Sequence, residues 1–419
     1  MKYRLMTPLY EKTPGDAAPI YLDAIKRIDR IPDDLVSAGT TYEAMPLAEL
    51  AHSDVDKYLA AFADVSNQIK MATPREECRW DPRMNVSEIS QTRGLFEPLL
   101  VQLRVQIARE QYDQAAATCR DIFALAHSLR GSLLQALEGE GYAKAAIEQI
   151  EELEKQPGSP NFYGALADLP RPFFDFPELL QNEQSVVLSM IPEFKQAADH
   201  PLKPDQWNDV LPHFMQLKLL FAPFPQVASA VITAYGGPSK LATLFPEARP
   251  YVIAHKLLSA DEADKGPSNH VIGVYLFAKY QEFFDQAYIA ARLPYPQAFE
   301  ALGQAQNRLG PHLPGETFPR GNPFMLTDSL ISPLFALGSL DRDIALHQCV
   351  EAIRAYAASH DGKPPQRLED MTDPPAPPNP LTGQPFIYTA DGQVVEFDIR
   401  PPAALEKGNR RLVRVTVAR

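Results

Sequence analysis

LLVQLRVQIAREQYDQAAATCRDIFALA, Leu99 to Ala126, decides how most of this chain folds. Leu99, Leu103 and Ile107 recur at four-residue steps; Ala115, Cys119, Ile122, Phe123 and Ala126 follow at steps of mostly three and four. That spacing puts each set on one face of a helix. Between them REQYDQA (Arg109 to Ala115) interrupts the stripe and looks like the turn of a tetratricopeptide-type helix hairpin. A second echo, GYAKAA from Gly141, sets Tyr142 30 residues after Tyr112. Tetratricopeptide repeats run at about 34. One off-period pair does not make a solenoid, so packed helical hairpins are expected.

Outward from the hairpin the helical signal continues. Pro19 to Ile25 reads as helix, and Leu59, Phe62, Val65 and Ile69 form an apolar stripe. Thr73 to Asn85 is polar and turn-rich. From about Ser159 to Pro250, proline and aromatic connectors such as LPRPFFDFPELL (Leu169 to Leu180) alternate with helices, one of them over Trp207 to Leu220. SVVLSMI (Ser185 to Ile191) is too short for periodicity to choose between strand and buried helix. Val271 to Arg292 reads as one long helix, and Asn307 to Asn322 as a Gly- and Pro-containing loop at a boundary.

The C-terminal part has its own logic. Leu346, Val350, Ile353 and Ala357 line a helix expected to start near Asp341 and to end at Asp361-Gly362, where Gly362 suits a left-handed cap. After a proline-rich connection, PFIYT and QVVEFDI flank Ala390-Asp391-Gly392, a hairpin signal, with Phe386 and Tyr388 on one strand face. RLVRVTV (Arg411 to Val417) alternates and adds a strand. The expected fold is therefore mainly α, built of packed helical hairpins, with a small C-terminal α+β module of one helix plus a short antiparallel sheet. The expected division is a helical body over 1–330, either one unit or two parting near 160–200, the module over 331–402, and a basic tail strand over 403–419.

Composition narrows the function classes. The chain has 419 residues, 45% of them hydrophobic, and 40 basic against 53 acidic residues give a net charge of −13. Such a chain is repelled by phosphate backbones, which argues against nucleic-acid binding. The basic C-terminal run (Arg400, Lys407, Arg410, Arg411, Arg414, Arg419) reads as a solvated strand face. Forty prolines are about twice the usual share and, being dispersed, point to short helices with rigid connections. Cys78, Cys119 and Cys349 have no metal spacing. Buried thiols are the expectation, with a Cys78–Cys119 disulfide as the alternative. No apolar run is long enough to span a membrane. The N-terminal stretch lacks the apolar core of a signal peptide, so the chain is cytoplasmic or begins after a removed export segment.

Several stretches carry a resemblance. NFYGALADLPRPFFDFPELLQNE (Asn161 to Glu183), LDRDIALHQCVEAIRAYAASHDGKPPQRLEDM (Leu340 to Met371), ECRWD (Glu77 to Asp81), the YDQA region and RLPYPQA (Arg292 to Ala298) resemble an uncharacterised family of exported planctomycete proteins, over about residues 18–402. The resemblance implies a periplasmic or cell-envelope location and no particular activity. More narrowly, AIRAY, HDGKPPQRLEDM and NPLTGQPFIY, within Leu340 to Asp398, are similar to the globular head of type II secretion major pseudopilins. The membrane helix and the acidic, glycine-rich calcium tail of those proteins have no counterpart here, so no calcium ligand is carried over.

Catalytic motifs fail one by one. There is no GxSxG, and GGPSK (Gly236 to Lys240) misses the phosphate-loop pattern. The nine histidines show no HExxH and are expected at surface or capping positions. Acidic pairs such as Glu138 and Glu140 or Glu151 and Glu152 read as solvated faces. No catalytic residue, metal or cofactor is assigned. The site-like features are Trp80 flanked by Arg79 and Asp81, and the aromatic group containing Tyr163, Phe173 and Phe174; each is weighed against a plain core role. The function expected is a non-enzymatic binding or scaffold protein of the bacterial cell envelope with a protein partner. The alternative is an envelope hydrolase with its site in the helical body.

Overall fold

The computed structural model describes residues 2–213, 244–309, 330–400 and 410–416. GGPSK, residues 214–220 of the helix expected from Trp207, and residues 310–322 of the expected loop lie outside them. The described chain is mostly helical, with seventeen α-helices and a small three-stranded antiparallel sheet near the C-terminus. The sequence expected that fold class.

Strand β1 (Thr13–Asp16) and helix α1 (Ala18–Ile28) begin the chain, followed by α2 (Asp33–Ala44), α3 (Leu47–Leu50), α4 (Val55–Ala61) and α5 (Ala63–Ala72). The Leu59–Ile69 stripe is thus two helices broken at Phe62, whose side chain is buried with Val65 and Ile69. Strand β2 (Arg75–Glu77) pairs in parallel with β1, so the stretch read as a plain turn holds a short ladder. Helix α6 (Val86–Ser90) starts at a capping box made by Asn85 and Glu88.

The opening stretch forms α7 (Arg93–Ala108) and α8 (Tyr112–Ser128). All eight of its stripe residues are buried. The turn between them puts Glu110 at φ +57°, with the Gln111 N–H donating to the Gln106 carbonyl at 2.8 Å. Helix α9 (Leu133–Glu154) packs against α8 and contains GYAKAA in its middle, not at a repeat start. Its first turn is capped by Ser132, and the Leu133 N–H donates at 2.7 Å to Glu183, a carboxyl buried in α11 (Phe176–Met190). Between α9 and α11 lies α10 (Tyr163–Ala167). SVVLSMI lies almost wholly in the end of α11, resolving the open choice as helix.

Next come α12 (Pro192–Asp199), a 3-10 turn ending at Trp207, α13 (Phe245–Ala254), α14 (Ala260–Lys265), α15 (Ser268–Ala291), α16 (Tyr295–Leu309) and α17 (Ile331–Ser359). Helix α17 starts ten residues before the expected Asp341. Pro333 sits in its first turn, where a missing N–H costs nothing, and the apolar run through Leu340 continues the helix upstream. A helix buried nearly all round belongs inside a protein, and α17 is buried continuously from Leu337 to Ile353. Leu334, Leu337, Leu340 and Ile344 join the large core of the helical body. Leu346, Cys349, Val350, Ile353 and Ala357 join a second core with the sheet.

That sheet runs β3 (Ile387–Asp391), β4 (Val394–Ile399) and β5 (Arg411–Thr416), all antiparallel neighbours. Val395, Phe397, Ile399, Val413 and Val415 alternate inward, and Phe386 and Tyr388 both pack on Phe397. Gly392 opens the two-residue turn at φ +61°, a conformation glycine adopts without penalty. Arg410 and Arg414 of the basic run pair with Asp398 and Glu396. All three cysteines are free thiols, so the alternative disulfide is not formed.

Candidate functional site

A cavity of about 510 Å3 opens where three distant parts of the chain meet on α17. The loop between α10 and α11 contributes Arg171, Pro172 and Phe174, and the start of α11 contributes Phe176 and Pro177. Arg292 to Tyr295 connect α15 to α16, and the NPLTG turn (Asn379 to Gly383) supplies Pro380, with Pro378 just before it. Leu334, Asp341 and Ala345 form the α17 side. Prolines fix these loops and leave apolar walls with few backbone donors. Gly338 lets the walls close on the helix: a Cβ there would lie 2.7 Å from Leu381 Cδ2 and 2.8 Å from Tyr295 Cε1. The NPLTG turn is held by buried Asn379, whose Oδ1 accepts the Leu381 N–H at 3.0 Å.

Asp341 is the polar centre and is 8% exposed. Its Oδ1 accepts the Phe173 N–H at 2.8 Å, and its Oδ2 accepts the Tyr295 hydroxyl at 2.6 Å. Burial pushes this carboxyl up to about 6, against the opposing pull of Tyr295, the Phe173 N–H and Arg171. Burial also raises the Tyr295 phenol. Arg171 donates through Nη2 to the Gln348 amide oxygen, and partial burial lowers its pKa despite nearby Asp341. The lining holds no serine, cysteine, histidine or lysine. Among the described residues no group of three or more His, Cys, Asp and Glu is placed to hold a metal.

A second polar group lies further along α17, in the interior. His347 Nδ1 sits 3.0 Å from Glu154 Oε2 of α9, with side chains 2% and 0% exposed. Burial disfavours the imidazolium, but Glu154, Glu151 and Asp343 outweigh it and raise the His347 pKa. Glu351 is pushed up to about 8, first by burial and then by Glu154, while Arg354 opposes from 2.9 Å. Arg354 also donates to Ser159 Oγ at 2.8 Å. These contacts staple α9 and the loop after it to α17. They also correct the expectation of surface or capping histidines at His347, and Glu140, expected on a solvated face, is 8% exposed.

The residues singled out from sequence are scattered. Trp80 is buried, stacks on Tyr21 at 5.7 Å and donates its Nε1–H to Ser128 Oγ at 3.2 Å. Arg79 pairs with Glu77 and Asp81 with Arg83, both at the surface. Tyr163 reaches the other way, donating its hydroxyl to the Pro375 carbonyl at 2.9 Å. Phe173 is a core residue whose N–H holds Asp341, whereas Phe174 lines the cavity. Arg171, Tyr295 and Asp341 were not singled out individually, although each lies in a quoted stretch: LPRPFFDFPELL, RLPYPQA and LDRDIAL. No protein family, curated protein or solved structure matched the chain.

Proposed function

We propose that this protein binds a ligand in the cavity on α17 without converting it, as a module of the bacterial cell envelope. One observation carries the reading. The only buried carboxyl among the lining residues already accepts two protein donors, in a mostly apolar pocket without a serine, cysteine, histidine or lysine or a second buried carboxyl. A general base needs a reach to substrate; both oxygens of Asp341 are turned to protein donors, holding Phe173 and Tyr295 in place. A size of about 510 Å3 with mostly apolar walls suits a small ligand or one side of a peptide. The envelope location rests on the likeness of the quoted stretches to exported proteins, and no helix among the described residues is long and apolar enough to cross a membrane.

The hydrolase reading keeps one point in its favour, the carboxyl of Asp341 raised to about 6 beside Tyr295. Native mass spectrometry of the protein purified from its own host separates the two. A retained ligand, lost in Leu293→Trp, is the expected result; Leu293 is exposed at the rim, so the indole can fill the mouth. Turnover of ester, amide or glycoside substrates that Asp341→Asn abolishes would overturn the binding reading.

A further inference from the structure

We propose that the cavity takes an amphiphilic monoanion, its apolar body against the proline and phenylalanine walls and its carboxylate or sulfonate head on Arg171. The inference rests on the binding reading above and specifies the ligand's chemistry. It follows from which hydrogen-bonding groups at the cavity are already engaged. Four ionisable groups of fixed sign line it: Asp175, Asp341, Arg171 and Arg292. Both acids are engaged as acceptors. Asp341 takes the Phe173 N–H and the Tyr295 hydroxyl, and Asp175 caps α11 by accepting the Glu178 N–H at 3.5 Å.

Neither cation has a carboxylate partner among the described residues. Arg171 is bonded to the neutral amide of Gln348. Arg292 lies over the Tyr288 ring, 4.5 Å from its centre, and donates to the Tyr288 hydroxyl. A guanidinium presents five N–H donors in a planar fork that matches a carboxylate or sulfonate. Arg171 is the better placed of the two, because it is anchored against α17 by Gln348, whereas Arg292 is folded back over Tyr288. Pro172, Phe174, Phe176, Pro294, Leu334 and Ala345 offer an apolar body no hydrogen-bond donor of their own side chains. A neutral apolar ligand would leave the remaining N–H donors of Arg171 to water, and a cationic head would be repelled by it.

Two dyes sharing one ring system make the test: anilinonaphthalene sulfonate, an anion, and phenylnaphthylamine, its neutral counterpart. Each is titrated by fluorescence into the full chain at neutral pH, with circular dichroism confirming that every variant is folded. The sulfonate is expected to bind at least about tenfold more tightly, the scale of one charge-assisted hydrogen bond. Arg171→Gln removes that advantage and leaves the neutral dye unchanged; Arg171→Lys keeps part of it. Leu293→Trp weakens both. Equal affinities that Arg171→Gln does not move would refute the anion while leaving the cavity reading intact. Failure of both dyes to bind, or binding of both that Leu293→Trp leaves untouched, would refute the cavity reading itself.

Discussion

Glu183 offers a direct test of how the interior is assembled. Its carboxyl is 1% exposed, accepts the Leu133 N–H through Oε1, and has no partner for Oε2. Burial pushes it from an ordinary 4.5 up to about 8, with the Leu133 N–H the one opposing influence. The folded state therefore holds this proton more tightly than the unfolded chain. Its stability contribution is fully present below pH 4.5, declines as pH rises towards 8, and levels off above. A difference of that size corresponds to at most about 5 kcal/mol by proton linkage. Glu183→Gln keeps the acceptor for Leu133 and cannot ionise. Any cost of placing the amide nitrogen where Oε2 lacked a partner is independent of pH and offsets the whole curve equally. Urea unfolding of both proteins from pH 4.5 to pH 9 is the assay. The variant's stability relative to the parent is expected to climb by several kcal/mol between pH 4.5 and 8 and then stay constant. Other carboxyls, Glu351 among them, titrate in both proteins and cancel in the difference. Parallel curves across the range would refute the reasoning and imply that water reaches Glu183.

Gly338→Ala would force a methyl group against Leu381 and Tyr295, and should lower stability by about 1–3 kcal/mol in the same urea assay, as overpacking of a tight core does. Deleting residues 335–419 removes Leu337, Leu340 and Ile344 from the large core along with the sheet; the circular-dichroism melt of the remainder should lose its cooperativity, and a sharp transition would show that the body folds without α17.

The sequence was legible where local signals acted alone. The α7–α8 hairpin follows from apolar spacing across a polar turn, and the β3–β4 hairpin from Asp391-Gly392 between alternating strands. The β1–β2 ladder did not show, because three or four residues with hardly a buried side chain leave no periodic trace. The start of helix α17 is hidden because its first turns, Ile331 to Leu340, are apolar nearly all round, so no stripe marks where it begins. The cavity was the least legible feature. Aromaticity points to Phe174, but Arg171, Tyr295 and Asp341 are brought together from positions 171, 295 and 341 by packing on α17. No local spacing encodes that meeting. Trp80, conspicuous by rarity, turned out to fill the core beside Tyr21.

Helix α17 also sets a timetable for synthesis. His347 lies 193 positions after the Glu154 it pairs with, which a ribosome covers in about 10–40 s. Throughout that interval the nascent chain carries α9 with the surface meant for α17 uncovered. A product that ends early cannot close this seam. It would be recognised by chaperones and proteases, which makes the last quarter of the chain the quality check on everything made before it.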